Sequence, residues 1–216
     1  MGICRSQVFS FLQEGGYSVI FLQETHTDPT AKDNWRLEWG DRVHFSHSTI
    51  QQAGVETLFS PDLRPEVLGV AEAVPCRLLH LWVHIEGLMV NLINVYAPTL
   101  GPEWLQLYQK ASAFLGTLDS HECLVLGGDF NTTLEERDCS GTEQSPATAD
   151  TLREIVEHHS LVDIWHDHHP DDTSTFTFVR VEAQSVEPLP VGPHLFIMFP
   201  SLTSPAFGWP HFLTIT

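Results

Sequence analysis

Positive charge is what this sequence has least of: ten Lys and Arg stand against 28 Asp and Glu in 216 residues, a formal net charge of −18. Proteins that grip nucleic acid neutralise phosphates with Lys and Arg, so weak duplex binding is expected unless the few cations gather at one mouth. Metal ions could supply some of the missing positive charge. Cysteine is also scarce. Cys4, Cys76, Cys123 and Cys139 form no Cys-x-x-Cys pair, which disfavours a zinc site or redox motif and fits a reducing compartment. No proline-free apolar run approaches the ~20 residues of a membrane span, so none is expected. Met1 to Arg5 leads straight into Ser6-Gln7 without a basic and apolar leader, giving an expectation of nucleus or cytoplasm. No repeat is visible at a period of about 20 to 50 residues, which argues against a solenoid.

What is present describes a folded chain. Apolar residues make up 42% and charged residues 18%, enough apolar content to offset ordering entropy in one domain of ordinary size. Val8, Phe11 and Leu12 recur at helical spacing before Gly15-Gly16, which predicts a helix with a glycine stop. Tyr17 to Leu22 is a short apolar run of the buried-strand type, ending at Gln23-Glu24-Thr25-His26. The same grammar recurs where Leu88 to Val95 runs towards Pro98 and Leu124 to Leu126 runs into Gly127-Gly128-Asp129. Between them Trp104, Leu107, Tyr108, Ala111, Phe114, Leu115 and Leu118 mark an amphipathic helix behind Pro102. A further helix is predicted over Thr148 to His158, and strands over Val67 to Val74, Leu79 to Ile85 and Thr173 to Val181. The strand-rich stretch from Val43 to Ile93 fits a layered α/β sandwich better than a doubly wound sheet.

The end of the chain differs in kind. After Arg180 there is no Lys or Arg, only Glu182 and Glu187 are acidic, and six prolines interrupt any regular element. The expectation is a partial domain over residues 1–182 and an irregular Pro-rich tail over residues 183–216 that stands outside the fold.

The sharpest motif is Leu-Val-Leu-Gly-Gly-Asp129-Phe-Asn131, a buried strand delivering two polar side chains two residues apart and so to one side. In phosphodiester hydrolysis Asp129 could orient and deprotonate water, and Asn131 could hold a phosphate oxygen or a metal-bound water. An Asx turn at a strand end explains the same residues equally well. Glu24 could be a hard oxygen ligand for Mg²⁺, with His26 fixing it or its loop, although a lone Glu after a strand is more often solvated. The Tyr96 hydroxyl could reach a phosphate oxygen, against the plainer reading of a core tyrosine. Three strands each ending in a residue of suitable chemistry is what a site on a rigid sheet looks like.

With Gly-Gly-Asp129-Phe-Asn131, Gln-Glu24-Thr-His26 and Val-Tyr96-Ala-Pro in this order, residues 7–182 resemble the endonuclease/exonuclease/phosphatase family. Leu-Val-Asp163-Ile-Trp165 and the Pro170 to Thr177 stretch resemble its retrotransposon-encoded, apurinic-type endonucleases and exonuclease III. The resemblance implies a two-layered β-sandwich flanked by helices. It implies Tyr96, Asp129 and Asn131 as catalytic residues and Glu24, Asp129 and Asn131 around the metal. The implied metal is Mg²⁺, with Mn²⁺ as an alternative, and the implied substrate is DNA, bound weakly or no longer at this charge, by a monomer. The sequence also departs from the family pattern. Met1-Gly2-Ile3-Cys4-Arg5 stands where an Asn-x-Asn-Gly-like strand is expected, and neither a Ser-x-Leu-Asp-Arg-like strand nor a Ser-Asp-His ending follows Phe178. The expected fold is therefore incomplete at both ends. The expected function is an impaired Mg²⁺-dependent phosphodiester hydrolase, with a non-catalytic retroelement remnant or a small-molecule phosphatase as alternatives. His158-His159 and His166-Asp167-His168-His169 have no matched partner at ligand spacing, and the four-residue group before Pro170 is read as an exposed loop.

Overall fold

The computed structural model describes residues 5–47, 53–98, 102–134, 146–164, 167, 195–198 and 212–215. Helix α1 (Arg5–Glu14) leads into strand β1 (Val19–Gln23), and α2 (Lys32–Trp39) into β2 (Val43–Ser46) and β3 (Val55–Phe59). A meander follows, β4 (Glu66–Val74), β5 (Leu78–Ile85) and β6 (Leu88–Tyr96); then come α3 (Glu103–Leu115), β7 (Cys123–Asp129), α4 (Pro146–His158) and β8 (Val162–Asp163). Two more strands, β9 (Leu195–Met198) and β10 (Phe212–Ile215), complete two sheets in the orders β10-β1-β3-β2 and β4-β5-β6-β7-β9-β8.

Strand periodicity decides how these sheets stack. On β1, Val19 and Phe21 pack against Leu81, Val83, Leu92 and Val125 of the other sheet, whereas Ile20 and Leu22 pack beneath Phe9, Leu12, Trp35 and Trp39. On β7, Val125 faces the inter-sheet core while Leu124 and Leu126 face α3 and α4 through Leu107, Tyr108, Ala111, Leu152 and Ile155. The result is a four-layer arrangement, helices, sheet, sheet, helices, in which the central strands β1 and β7 are covered on both faces while the edge strand β4 is largely exposed. That explains the nearly unbroken apolar runs of β1 and β7, because strands buried on two faces have no polar side to show. Among the described residues no helix is long and apolar enough to cross a membrane.

The expected sandwich with flanking helices is the observed architecture, with differences in detail. Helix α2 was not expected, since its eight residues carry only Trp35 and Trp39 as buried anchors at i and i+4. Along α1 Phe9 and Leu12 are buried and Val8 packs beside them, whereas Phe11 is 53% exposed, so of the predicted stripe only Phe11 is displaced, by Phe9. Two pieces of the segment expected to stand outside the fold are in it: Leu195–Met198 pairs antiparallel with β7, and Phe212–Ile215 parallel with β1. The first lies in the proline-free run between Pro193 and Pro200 and the second in the run after Pro210, each sufficient for a short ladder on an open strand edge. The strand predicted over Thr173 to Val181 lies outside the described residues.

Candidate active site

Strand direction brings the predicted residues to one end of the sandwich. Strands β6 and β7 are parallel neighbours in a register that sets Tyr96 opposite Asp129, both at the last position of their strands. On β6, Val90, Leu92 and Asn94 face the inter-sheet core, and the same period directs Tyr96 towards the other sheet. There it meets Glu24, which follows β1, and the Tyr96 hydroxyl donates a hydrogen bond to Glu24 Oε1. Burial, reinforced by the Glu24 carboxylate, pushes the phenol up to about 12, so Tyr96 is a neutral donor at physiological pH. Arg77, entering β5, lies over the ring with its guanidinium carbon 4.5 Å from the centroid, which partly offsets that rise.

The approach of the two sheets is fixed by Asn94, which is fully buried. Its Nδ2 donates to Leu22 O at 3.2 Å on β1 and to Glu56 O at 2.8 Å on β3, while its Oδ1 accepts from Gln23 Nε2 at 2.7 Å. One side chain therefore ties β6 to β1 and β3 next to the site.

Asp129 and Asn131 are held differently from the prediction. Asn131 lies beyond β7, at φ 48°, and its N–H donates to Asp129 Oδ1 at 2.9 Å. The Asx turn and the site are the same object, so strand alternation is not what aligns the pair. Asn131 Nδ2 donates to Ala97 O at 2.6 Å, and Ala97 N to Asp129 O at 2.7 Å, locking the two strand ends together. Gly128 makes this approach feasible: at φ 139° an added Cβ would lie 1.9 Å from Val95 O.

Backbone strain concentrates here. Of the seven described non-glycine residues with positive φ, five lie at this end: Glu24, His26, Ala53, Cys76 and Asn131. They are linked, His26 N donating to Ala53 O at 3.2 Å and Gly54 N to Cys76 O at 3.3 Å. Such conformations cost about 1 kcal/mol or more each and persist where surrounding structure imposes them, commonly at functional sites. Behind Glu24, Thr27 donates to the buried carboxylate of Glu56 and contacts His47 Nδ1 at 3.2 Å. Thus His47, rather than His26, braces this loop; the exposed His26 engages through its backbone.

Sequence reasoning passed over Asn94, Glu56 and Arg77. The first two carried a signal, a polar residue interrupting the apolar runs Leu-Ile-Asn-Val and Gly-Val-Glu-Thr-Leu. Arg77 carried none, since only the fold puts its loop over Tyr96. Among the described residues no group of three or more His, Cys, Asp or Glu could hold a metal. His158 and His159 stand edge to face, and His159 Nε2 contacts Ser112 Oγ at 3.1 Å between α4 and α3.

The family model described as the endonuclease/exonuclease/phosphatase family matches residues 3–210. The chain belongs to this family. It is 50% identical over 175 residues to an uncharacterised 149 kDa protein of transposon TX1 from Xenopus laevis, covering 81% of this chain and 13% of that protein. The chain therefore spans about an eighth of that relative's length. Among solved structures, an AP endonuclease from Archaeoglobus fulgidus superimposes with a TM-score of 0.64 at 20% identity, over 89% of this chain and 82% of the other. TDP2 from C. elegans gives a TM-score of 0.58 at 19% identity, over 90% and 59%. At such identities these structures share the endonuclease/exonuclease/phosphatase fold with this chain.

Proposed function

We propose that the chain is a Mg²⁺-dependent phosphodiester hydrolase acting on DNA in the manner of an apurinic/apyrimidinic endonuclease, with a low turnover. The observation that carries this reading is the Tyr96–Glu24 hydrogen bond between two strand ends, with Asp129 opposite Tyr96 in the β6–β7 register and Asn131 locked beside it. The donor set suits a hard cation that keeps several waters. Glu24 is an exposed carboxylate, and Asp129 and the Asn131 amide oxygen are the other oxygen donors assigned to the ion. When bound, Mg²⁺ would neutralise charge developing on the phosphate.

The residues of the chain supply the rest. Asp129, oriented through the Asn131 N–H, accepts a proton from the water that attacks phosphorus as the bond to the leaving sugar oxygen breaks. Tyr96, neutral and stacked under Arg77, turns its single hydroxyl proton from Glu24 to a non-bridging phosphate oxygen when the substrate arrives. Asn131 spends one amide proton on Ala97 O and directs its other towards the same group. The low turnover is expected from the net charge of −18, which opposes the approach of DNA phosphates.

The test is nicking of a plasmid carrying abasic sites, with Mg²⁺ and with chelator. Mg²⁺-dependent nicking is expected to fall by about 100-fold or more in Asp129→Ala, the usual scale for loss of a general base. Absence of Mg²⁺-dependent nicking, or its survival in Asp129→Ala, sinks the reading in favour of a non-catalytic remnant.

A further inference from the structure

We propose that the cleft between Arg42 and Arg64, at the end of the sandwich opposite the candidate active site, binds a phosphoryl anion. Strand β2 runs antiparallel to β3, and β3 antiparallel to β1. The start of β2 and the end of β3 therefore lie where β1 begins, whereas Glu24 follows its end. Val19 and Gln23 alone are separated by about 13 Å of strand, so no single phosphate reaches both places.

The cleft has a volume of about 490 Å³. Its polar lining comes from Arg42, His44, Arg64 and Asp41, over an apolar floor that includes Phe59 and Val67. On a chain with ten Lys and Arg in all, two line this cleft and two more lie near His44. Arg42 and Arg64 line the cleft, and Lys32 and Arg36 on α2 lie near enough that, after burial, their charges hold the His44 imidazole below its ordinary value. The Arg42 guanidinium is held in place, Nη1 donating to Pro61 O at 3.2 Å, while its Nε is buried without a hydrogen-bond partner. Arg36 Nε is likewise buried without one and has only the Asp41 carboxylate at 4.0 Å. Asp41, the one carboxylate in the lining, has a 97% exposed side chain and stands at the rim.

Cations gathered on an otherwise acidic molecule repel one another, and an arriving anion relieves that repulsion. Arg42 and His44 at the start of β2 and Arg64 before β4 present two guanidinium forks and an imidazole from two segments. That suits the non-coplanar oxygens of a phosphoryl group better than a flat carboxylate. The phosphoryl group could belong to free phosphate or a nucleotide, or to a nucleic-acid backbone.

A ³¹P NMR titration of the full chain with inorganic phosphate at constant ionic strength decides the matter. Binding is expected in the parent and in Asp129→Ala, and to weaken at least about tenfold in Arg42→Gln/Arg64→Gln, the scale of losing charge-assisted hydrogen bonds. Arg64 is exposed, so Arg64→Gln alone serves as a second variant that leaves packing intact, and weakening is expected there too. Competition by an oligonucleotide without abasic sites identifies the backbone as the source; phosphate binding indifferent to it identifies a small phosphorylated ligand. Equal binding by the parent and both arginine variants overturns the proposal, as does binding abolished by Asp129→Ala.

Discussion

Glu56 sits on β3 with no exposed surface, one carboxylate oxygen accepting from Thr27 and the other, Oε2, without a partner. Burial raises its carboxyl to about 7, the Thr25 and Thr27 hydroxyls opposing that rise. A carboxyl raised on folding stabilises the native state fully below the unfolded value near 4.5, and that contribution is lost as pH rises through about 7. Glu56→Gln keeps the shape and cannot ionise. Its stability relative to the parent should therefore climb between those pH values and level off above them, with a limiting gain on the order of 3 kcal/mol. Urea denaturation of both proteins across that range tests it, and a difference independent of pH would show that Glu56 ionises no less readily in the folded chain.

At the scale of elements, the pairing of β6 with β7 holds the site, and its tightest point is Gly128. A side chain there meets both a positive φ and the Val95 backbone, neither of which can yield without parting the strands. Gly128→Ala is expected to cost about 3 kcal/mol or more, well above an ordinary surface substitution, read as a lower denaturation midpoint. Gly16, also at positive φ with nothing within 4 Å of an added Cβ, is the matched control. Its alanine variant should lose about 1 kcal/mol, from backbone conformation alone. Equal losses at the two positions would mean that close approach to Val95 contributes nothing.

Across the whole molecule, two features join parts far apart in sequence. Asn94 links the sheets, and Asn94→Ala leaves the Gln23 amide and the carbonyls of Leu22 and Glu56 without this partner at the inter-sheet face. Unsatisfied buried polar groups cost about 1–3 kcal/mol each, so a loss of several kcal/mol is expected by calorimetry. If the variant melts with the parent, Asn94 does not set the spacing of the sheets. Strand β10 covers the outer edge of β1 along Val19–Leu22. Deleting residues 212–216 should lower the melting temperature and, by uncovering an apolar strand edge, promote self-association visible in light scattering. A monodisperse deletion variant with an unchanged melt would place the tail outside the fold after all.

Sequence by itself determined the elements whose pattern is strong, and it named four candidate residues. Helices α3 and α4 were legible because their buried residues recur at helical spacing, β1 and β7 because apolar runs end in polar residues. Glu24, Tyr96, Asp129 and Asn131 were named from motif and order alone. The tertiary structure decided what a one-dimensional pattern does not encode. Helix α2 has too few buried residues to show a period, and β9 and β10 are specified by the strand edges they pair with rather than by their own composition. Tyr96 meets Glu24 across 72 positions of sequence, and Arg77 covers its ring, because two sheets stack with Asn94 between them. The cations Arg42 and Arg64 meet in one cleft for a similar reason: antiparallel pairing returns the chain to the same end of a sheet. Local preferences act over a few residues, whereas these contacts arise only when burial of apolar faces fixes the distance and register between layers.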